Sequence, residues 1–316
     1  MIQKTEELPL KQSNQTKKGV VTKVFGLYYT VEYDNKPVNC FLKGNLKKTK
    51  NNTNFTNPVA VGDNVIINIL EDGGGVINEV CERDNYFTRK EKGRNSREDI
   101  IAANIDRVVI IQSFIDPIMN LRFVDRITAR AKKSNIESLL VINKNDLAQI
   151  DQIEYLNDYY SNSGLEYIIV SAANGYNIEK VEKIIKGKRN LLIGYSGVGK
   201  TSIVNSIFPD LNLKTAEISD STGKGRHTTT NVIMYKEKNS TEIIDTPGMR
   251  EFGIVDIEPH MLDSYFYEFS THLKDCNFKT CTHEHEPKCR IKEMVENGEI
   301  YYGRYQSYLN ILESIK

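Results

Sequence analysis

The sequence carries no net charge: 42 basic and 42 acidic side chains cancel, so overall charge gives no guide to a partner. No apolar run approaches the ~18 residues that a membrane-spanning helix requires. Amphipathic basic helices and lipidation signals are also lacking. The start, MIQKTEELPLKQ, has no apolar stretch of the kind found in a secretory leader. These absences predict a cytoplasmic chain with no membrane partner. No strong coiled-coil pattern is present, which favours a monomer. Cysteines are few, five in 316 residues. Cys40 and Cys81 lie alone in strand-like segments, whereas Cys276, Cys281 and Cys289 crowd into one short stretch. In a chain without an export signal that clustering suggests a metal more than disulfides.

What is present divides the chain. Two or three domains fit its length. Residues 1–16 are polar and are expected to be a disordered tail. Residues 17–90 contain the runs GVVTKVFG, YYTVEY, VNCFLKG, GDNVIINIL and GGVINEVC, with turn signals at Asp34–Pro37 and Asp72–Gly75. Five short strands with such turns predict a small β-barrel, with the OB-fold leading. Residues 1–50 hold ten lysines against four acids. That excess fits either nucleic-acid binding or a solvated surface.

Residues 91–253 change texture, after a connector over 88–105. The apolar runs RVVIIQSF, ESLLVIN, EYIIVSA and NLLIG alternate with helical stretches at Leu121–Lys133, Ile150–Ser161 and Ile178–Ile185. This alternation predicts a parallel sheet with crossover helices, completed by strands near Asn231–Lys236 and Thr241–Ile244. Residues 254–316 read as a helical domain around the cysteine cluster. Leu262, Phe266, Phe269 and Leu273, and later Tyr302, Tyr305, Leu309 and Leu312, recur at helical spacing, as core-packing stripes do.

The α/β region carries the parts of a guanine-nucleotide site. Gly194, Tyr195, Ser196, Gly197, Val198, Gly199, Lys200 and Thr201, followed by Ser202, stand between a strand and a helix. Their glycines let backbone N–H groups cradle phosphates. Lys200 is expected to reach the β- and γ-phosphates, and the Thr201 hydroxyl to ligate Mg²⁺. Asn143, Lys144 and Asp146 end another strand. Asp146 can accept from two guanine N–H groups, Asn143 can brace the loop, and the Lys144 stem can cover the base. Ser171 and Ala172 close a further strand, where the Ala172 N–H can donate to the guanine carbonyl. Asp245 is expected to hold Mg²⁺ through water, and the Gly248 N–H to sense the γ-phosphate. The hydroxyl-rich run Ser221–Thr230 reads as a switch, with Thr229 completing the Mg²⁺ shell and Thr228 or Thr230 as alternatives.

The order of these motifs is unusual. An ordinary GTPase domain begins with its phosphate loop and ends with its base readers. This chain has the base readers first, so the domain reads as circularly permuted.

A glutamine is also missing. The residue after Gly248 is Met249, which cannot orient water as a Ras-like glutamine does. His227 is the candidate for that work, with contact to RNA or solvent as the other reading. In the C-terminal segment, Cys276, Cys281, His283 and Cys289 offer three thiolates and an imidazole. This donor set suits one closed structural Zn²⁺, with His285 a rival for the fourth place.

The permuted order, the barrel, the GKGRHTTT run and the Cys276/Cys281/His283/Cys289 spacing together resemble the RsgA (YjeQ) family, the small-ribosomal-subunit-dependent GTPases of bacteria. The resemblance runs from about residue 17 onward. Thr201 stands where members often have serine. Lys288 replaces a residue expected to be small. The resemblance implies GTP hydrolysis to GDP stimulated by the small ribosomal subunit, a late role in maturing that subunit, and rRNA contacts through the barrel and the zinc domain. It also supports zinc at the four ligands and His227 as the catalytic candidate. A second reading is a nucleotide-gated RNA-binding switch with negligible turnover, which Met249 favours.

Overall fold

A computed structural model describes residues 12–44, 55, 57–90, 98–213, 232–237, 239–246 and 257–316. The N-terminal module contains β1 (Gln12–Phe25), β2 (Tyr28–Tyr33), β3 (Lys36–Leu42), β4 (Asn64–Leu70) and β5 (Gly75–Val80). β1 starts at Gln12, inside the segment expected to be a disordered tail. Alternate residues point inward, so Val21, Val31, Cys40, Val65, Ile67 and Ile77 form one buried core. The strands run in the order β1-β2-β3-β5-β4, and β4 returns to pair with β1. β3 and β5 are parallel; the other neighbours are antiparallel.

This closed five-stranded arrangement is the expected barrel. Closure requires β1 to serve two partners and to bend between them. Gly19 lies next to Val20, where β1 passes from β4 to β2, and an added Cβ there would come within 2.6 Å of the Val31 side chain. The β2–β3 turn has Asp34 and Asn35 at φ of 47° and 58°, the left-handed pair that a tight hairpin needs.

The expected connector contains a two-stranded ribbon, β6 (Tyr86–Lys90) with β7 (Glu98–Ala103). It is tied down at Thr88, whose hydroxyl accepts from Arg130 at 3.0 and 2.7 Å.

The central sheet contains β8 (Arg107–Ser113), β9 (Glu137–Asn143), β10 (Glu166–Ile169), β11 (Arg189–Gly194), β12 (Ile233–Lys236) and β13 (Glu242–Asp245), in the order β10-β9-β8-β11-β13-β12. All pairings are parallel except β12 with β13. Every residue of β8 is buried, as in a strand covered on both faces. α3 (Ile178–Ile185) and α4 (Lys200–Ile207) cover one face. α1 (Leu121–Lys133), α2 (Ile150–Tyr160) and the C-terminal domain cover the other. β11 is fourth of these strands in the chain but central in the sheet. The loops that follow β8, β9, β10 and β11, and the end of β13 at Asp245, therefore lie along one edge, where such sheets bind ligands.

After residue 257 come a 3₁₀ segment (Pro259–Tyr265), α5 (Tyr267–Ser270), α6 (Arg290–Glu296) and α7 (Tyr302–Ile315). The first apolar stripe is therefore not one helix. Leu262, Phe266 and Phe269 are buried, but the backbone is extended at Phe266 and divides them between the 3₁₀ segment and a one-turn helix. Arg304 of α7 is buried between Glu268, 2.7 Å from its Nε, and Asp125 of α1, which its Nη1 contacts. Its guanidinium also lies 4.7 Å from the Phe266 ring centre. The barrel meets the central sheet where Lys23 faces Ile233. Lys236 there pairs with Glu32 at 2.8 Å, and Arg189 donates to the Gly62 carbonyl at 2.9 Å.

Candidate nucleotide site and metal cluster

The phosphate loop leaves the end of β11 and enters α4. Gly199 takes φ of 91°, and a Cβ there would lie 2.2 Å from the Asn143 amide nitrogen. Glycine is thus required by both conformation and space. Asn143 fills that position because it braces two loops. Its Nδ2 donates to the Val198 carbonyl at 3.0 Å, and its Oδ1 accepts from the Ala172 N–H at 3.0 Å. One buried asparagine at the end of β9 therefore holds the phosphate loop and the Ser171–Ala172 loop in register. The Ala172 N–H, expected to be free for a guanine carbonyl, is engaged in this brace.

Asp146 sits in a 3₁₀ turn (Asn145–Leu147), where its Oδ1 accepts from the Ser171 hydroxyl at 2.5 Å. The carboxylate is otherwise exposed at the sheet edge. Lys144 adopts φ of 65°, and its Nζ donates to the Asp116 carbonyl. Its stem is therefore pinned to the segment between β8 and α1.

Lys200 Nζ donates to the carbonyls of Gly194 and Tyr195, at 2.9 and 3.0 Å. Burial lowers its pKa, and the charge of Asp245 opposes that shift. Burial raises the pKa of Asp245, and Lys200 opposes it in turn. Among the described residues, Asp245 Oδ1 is buried without a hydrogen-bond partner. A buried carboxylate oxygen left this way fits a hydrated divalent cation, to which Asp245 and the hydroxyl of Thr201 on α4 would contribute. Thr246, the next residue, donates to the Leu192 carbonyl at 2.7 Å and fixes the end of β13 against β11. His227, Thr229 and Gly248, with the run Ser221–Thr230 and Met249, lie outside the described residues.

Sequence reasoning missed two supports. Asn120 caps α1, accepting from the Phe123 N–H at 3.1 Å, and donates to the Tyr195 hydroxyl at 3.1 Å. The Phe123 and Tyr195 rings lie 4.5 Å apart. Asparagine ahead of a helical run is a legible cap, but its reach to the phosphate loop is a tertiary contact. The Asp116 carbonyl that anchors Lys144 left no signal.

The second constellation is in the C-terminal domain. Ligand atoms of Cys276, Cys281, His283 and Cys289 all lie within 4.8 Å of one another. His283 Nδ1 is 3.7 Å from the Cys276 sulfur and 3.2 Å from that of Cys289. Burial raises the pKa of the Cys281 and Cys289 thiols. A bound divalent cation offsets that cost by stabilising thiolates. Three sulfurs and an imidazole gathered this closely fit one metal ion. His285 does not join them: its side chain is 87% exposed and lies 3.4 Å from Glu284. Lys288 takes φ of 53°, which explains why a small residue is expected there.

The family model described as RsgA GTPase matches residues 80–255, and the RsgA N-terminal domain matches residues 18–77. The chain belongs to the RsgA GTPase family. RsgA GTPases are hydrolases acting on GTP, and this chain carries that activity. It is 39% identical over 302 residues to a small ribosomal subunit biogenesis GTPase RsgA of Christiangramia forsetii, covering 93% of this chain and 95% of that one. A protein of the same description from Chlorobaculum parvum is 38% identical, with 96% and 99% covered. The solved structure of YjeQ from Thermotoga maritima superimposes with a TM-score of 0.73 at 32% identity, covering 95% of this chain and 98% of that one. YloQ, described as a circularly permuted GTPase, gives 0.68 at 26% identity, with 96% of each chain covered. This chain shares that permutation: Asn143–Asp146 at the end of β9 and Ser171–Ala172 after β10 precede the glycine-rich loop after β11. Among the described residues no helix is long and apolar enough to cross a membrane.

Proposed function

We propose that this RsgA GTPase acts in late maturation of the small ribosomal subunit, that the subunit stimulates its GTP turnover, and that it contacts rRNA through the barrel and the metal domain. The observation that carries the reading is full-length similarity to proteins named small ribosomal subunit biogenesis GTPases, combined with a candidate nucleotide cradle whose two loops Asn143 braces.

In this reading Asp146 selects guanine, and the Asn143 brace keeps base and phosphate loops at a fixed separation. The amides from Gly194 to Ser202 cradle the phosphates. Lys200 leaves its two carbonyl acceptors to pair with the β- and γ-phosphates, an exchange that stabilises charge developing in phosphoryl transfer. Thr201, Asp245 and Thr229 would hold Mg²⁺, whose charge would offset that of the phosphate oxygens. The Gly248 N–H senses the γ-phosphate, and His227 orients the attacking water. Cys276, Cys281, His283 and Cys289 would hold Zn²⁺, which would supply a structural cross-link because a full ligand set leaves no open position.

Met249 supports the other reading, a nucleotide-gated RNA-binding switch with negligible intrinsic hydrolysis. GTP turnover measured alone, with purified small subunits and with large subunits separates them. A rise with small subunits only is expected. Tight guanine binding with no rise from either subunit would leave the switch.

A further inference from the structure

We propose that Asp263 positions the imidazole of His283, selects Nδ1 as its metal-binding atom, and so belongs to the metal centre without touching the ion. The proposal rests on reading the cysteine–histidine cluster as a metal site. His283 presents its two ring nitrogens to different chemistry. Nδ1 faces the sulfurs of Cys276 and Cys289, at 3.7 and 3.2 Å. Nε2 faces Asp263 Oδ2 at 3.2 Å.

Only one neutral tautomer satisfies both sides. With the proton on Nε2, that nitrogen donates to the carboxylate and the Nδ1 lone pair is free for a cation. The reverse tautomer would set a lone pair against a carboxylate and an N–H where the ion belongs.

The surroundings leave the ring little choice. The His283 side chain is 1% exposed and packs against Phe269 and Tyr308, with ring centres 5.9 and 6.0 Å away. Its carbonyl accepts from the Tyr305 hydroxyl at 2.6 Å. The carboxylate is anchored as well: Asp263 Oδ1 accepts from the Ser264 N–H at 2.7 Å. Asp263 lies on the Pro259–Tyr265 segment, whose Leu262 is fully buried. The Pro259–Tyr265 segment is therefore tied to a candidate metal ligand through this carboxylate.

The test is zinc affinity of the full chain, measured against a competing chelator. Asp263→Ala is expected to weaken zinc binding about 10- to 100-fold, the range for loss of an outer-shell partner. Asp263→Asn is expected to lose less, because an amide oxygen still accepts from Nε2–H. The His283→Cys background guards against a mere folding effect, since it has no imidazole to orient. There Asp263→Ala should change affinity less than about twofold. Isotope-labelled imidazole spectra of the zinc-loaded wild type should show Nε2 protonated and Nδ1 ligated. Equal losses in both backgrounds, no loss in the wild-type background, or ligation through Nε2 would overturn the proposal. A wild-type chain that binds no zinc would instead refute the metal centre itself.

Discussion

The nucleotide cradle and the metal cluster are both loop constellations, but different parts of the chain hold them. The cradle hangs from buried parallel strands, and Asn143 at the end of β9 ties two of its loops together. The cluster occupies residues between the short turn ending at Asp275 and the start of α6 at Arg290, a stretch with no helix or strand. Its buried members are largely the ligands themselves. One region is tied together by a side chain at the end of a sheet strand, and in the other a bound metal ion would supply a comparable cross-link.

Removing the metal should separate the two most strongly. Structural zinc contributes about 10–16 kcal/mol in small peptides. Chelation is therefore expected to abolish amide protection across residues 276–289, while guanine-nucleotide affinity moves by less than about threefold. Hydrogen exchange and nucleotide titration on one sample check both halves. A large loss of nucleotide affinity would break the contrast.

Arg304→Met tests the joint between the regions. It would leave Asp125 and Glu268 buried without their cation, at a cost of about 3–5 kcal/mol. Among the described residues Glu268 Oε2 already lacks a partner, whereas Asp125 keeps the Tyr159 and Tyr160 hydroxyls as donors, so the loss falls mainly on Glu268. Urea unfolding of the loaded protein should show the midpoint fall, and the C-terminal domain should unfold first.

Asn143→Ala is the smallest and most local change. Its partners lose their bonds inside the protein, a cost of about 1–3 kcal/mol. Guanine affinity should fall roughly 10-fold, by the same conversion, with zinc content unchanged. Equilibrium titration and metal analysis report the two quantities.

The sequence was most legible where side-chain period and backbone chemistry agree. The five barrel runs became β1 to β5, and the three crossover helices formed within a residue of their expected spans. Asn143 was readable as a brace because its position after an apolar strand implies the geometry. The β6–β7 ribbon was missed because its stability comes from Arg130 on a helix forty residues away in the chain. Asp263 and Arg304 were silent for a related reason. A lone acid or base among polar neighbours reads as solvated until the fold supplies its partner. The stripe Leu262–Leu273 misled on continuity, because helical spacing reports which residues are buried and not whether one helix buries them.

The pairing of Lys23 on β1 with Ile233 on β12 joins the barrel and the central strands into one sheet of eleven strands. β12 is the outermost strand of the nucleotide domain, and an outermost strand usually offers unpaired amides and carbonyls on which another chain can add a strand. In this protein the barrel occupies that rim, through Lys23 opposite Ile233 and Lys236 on Glu32. An effector that docked there by strand addition would first have to displace part of the same polypeptide. The opposite rim ends on β10, only four residues long, too short a template for a strong competitor. The permuted domain thus comes with one of its docking rims already taken, and partners must read its surfaces and loops instead.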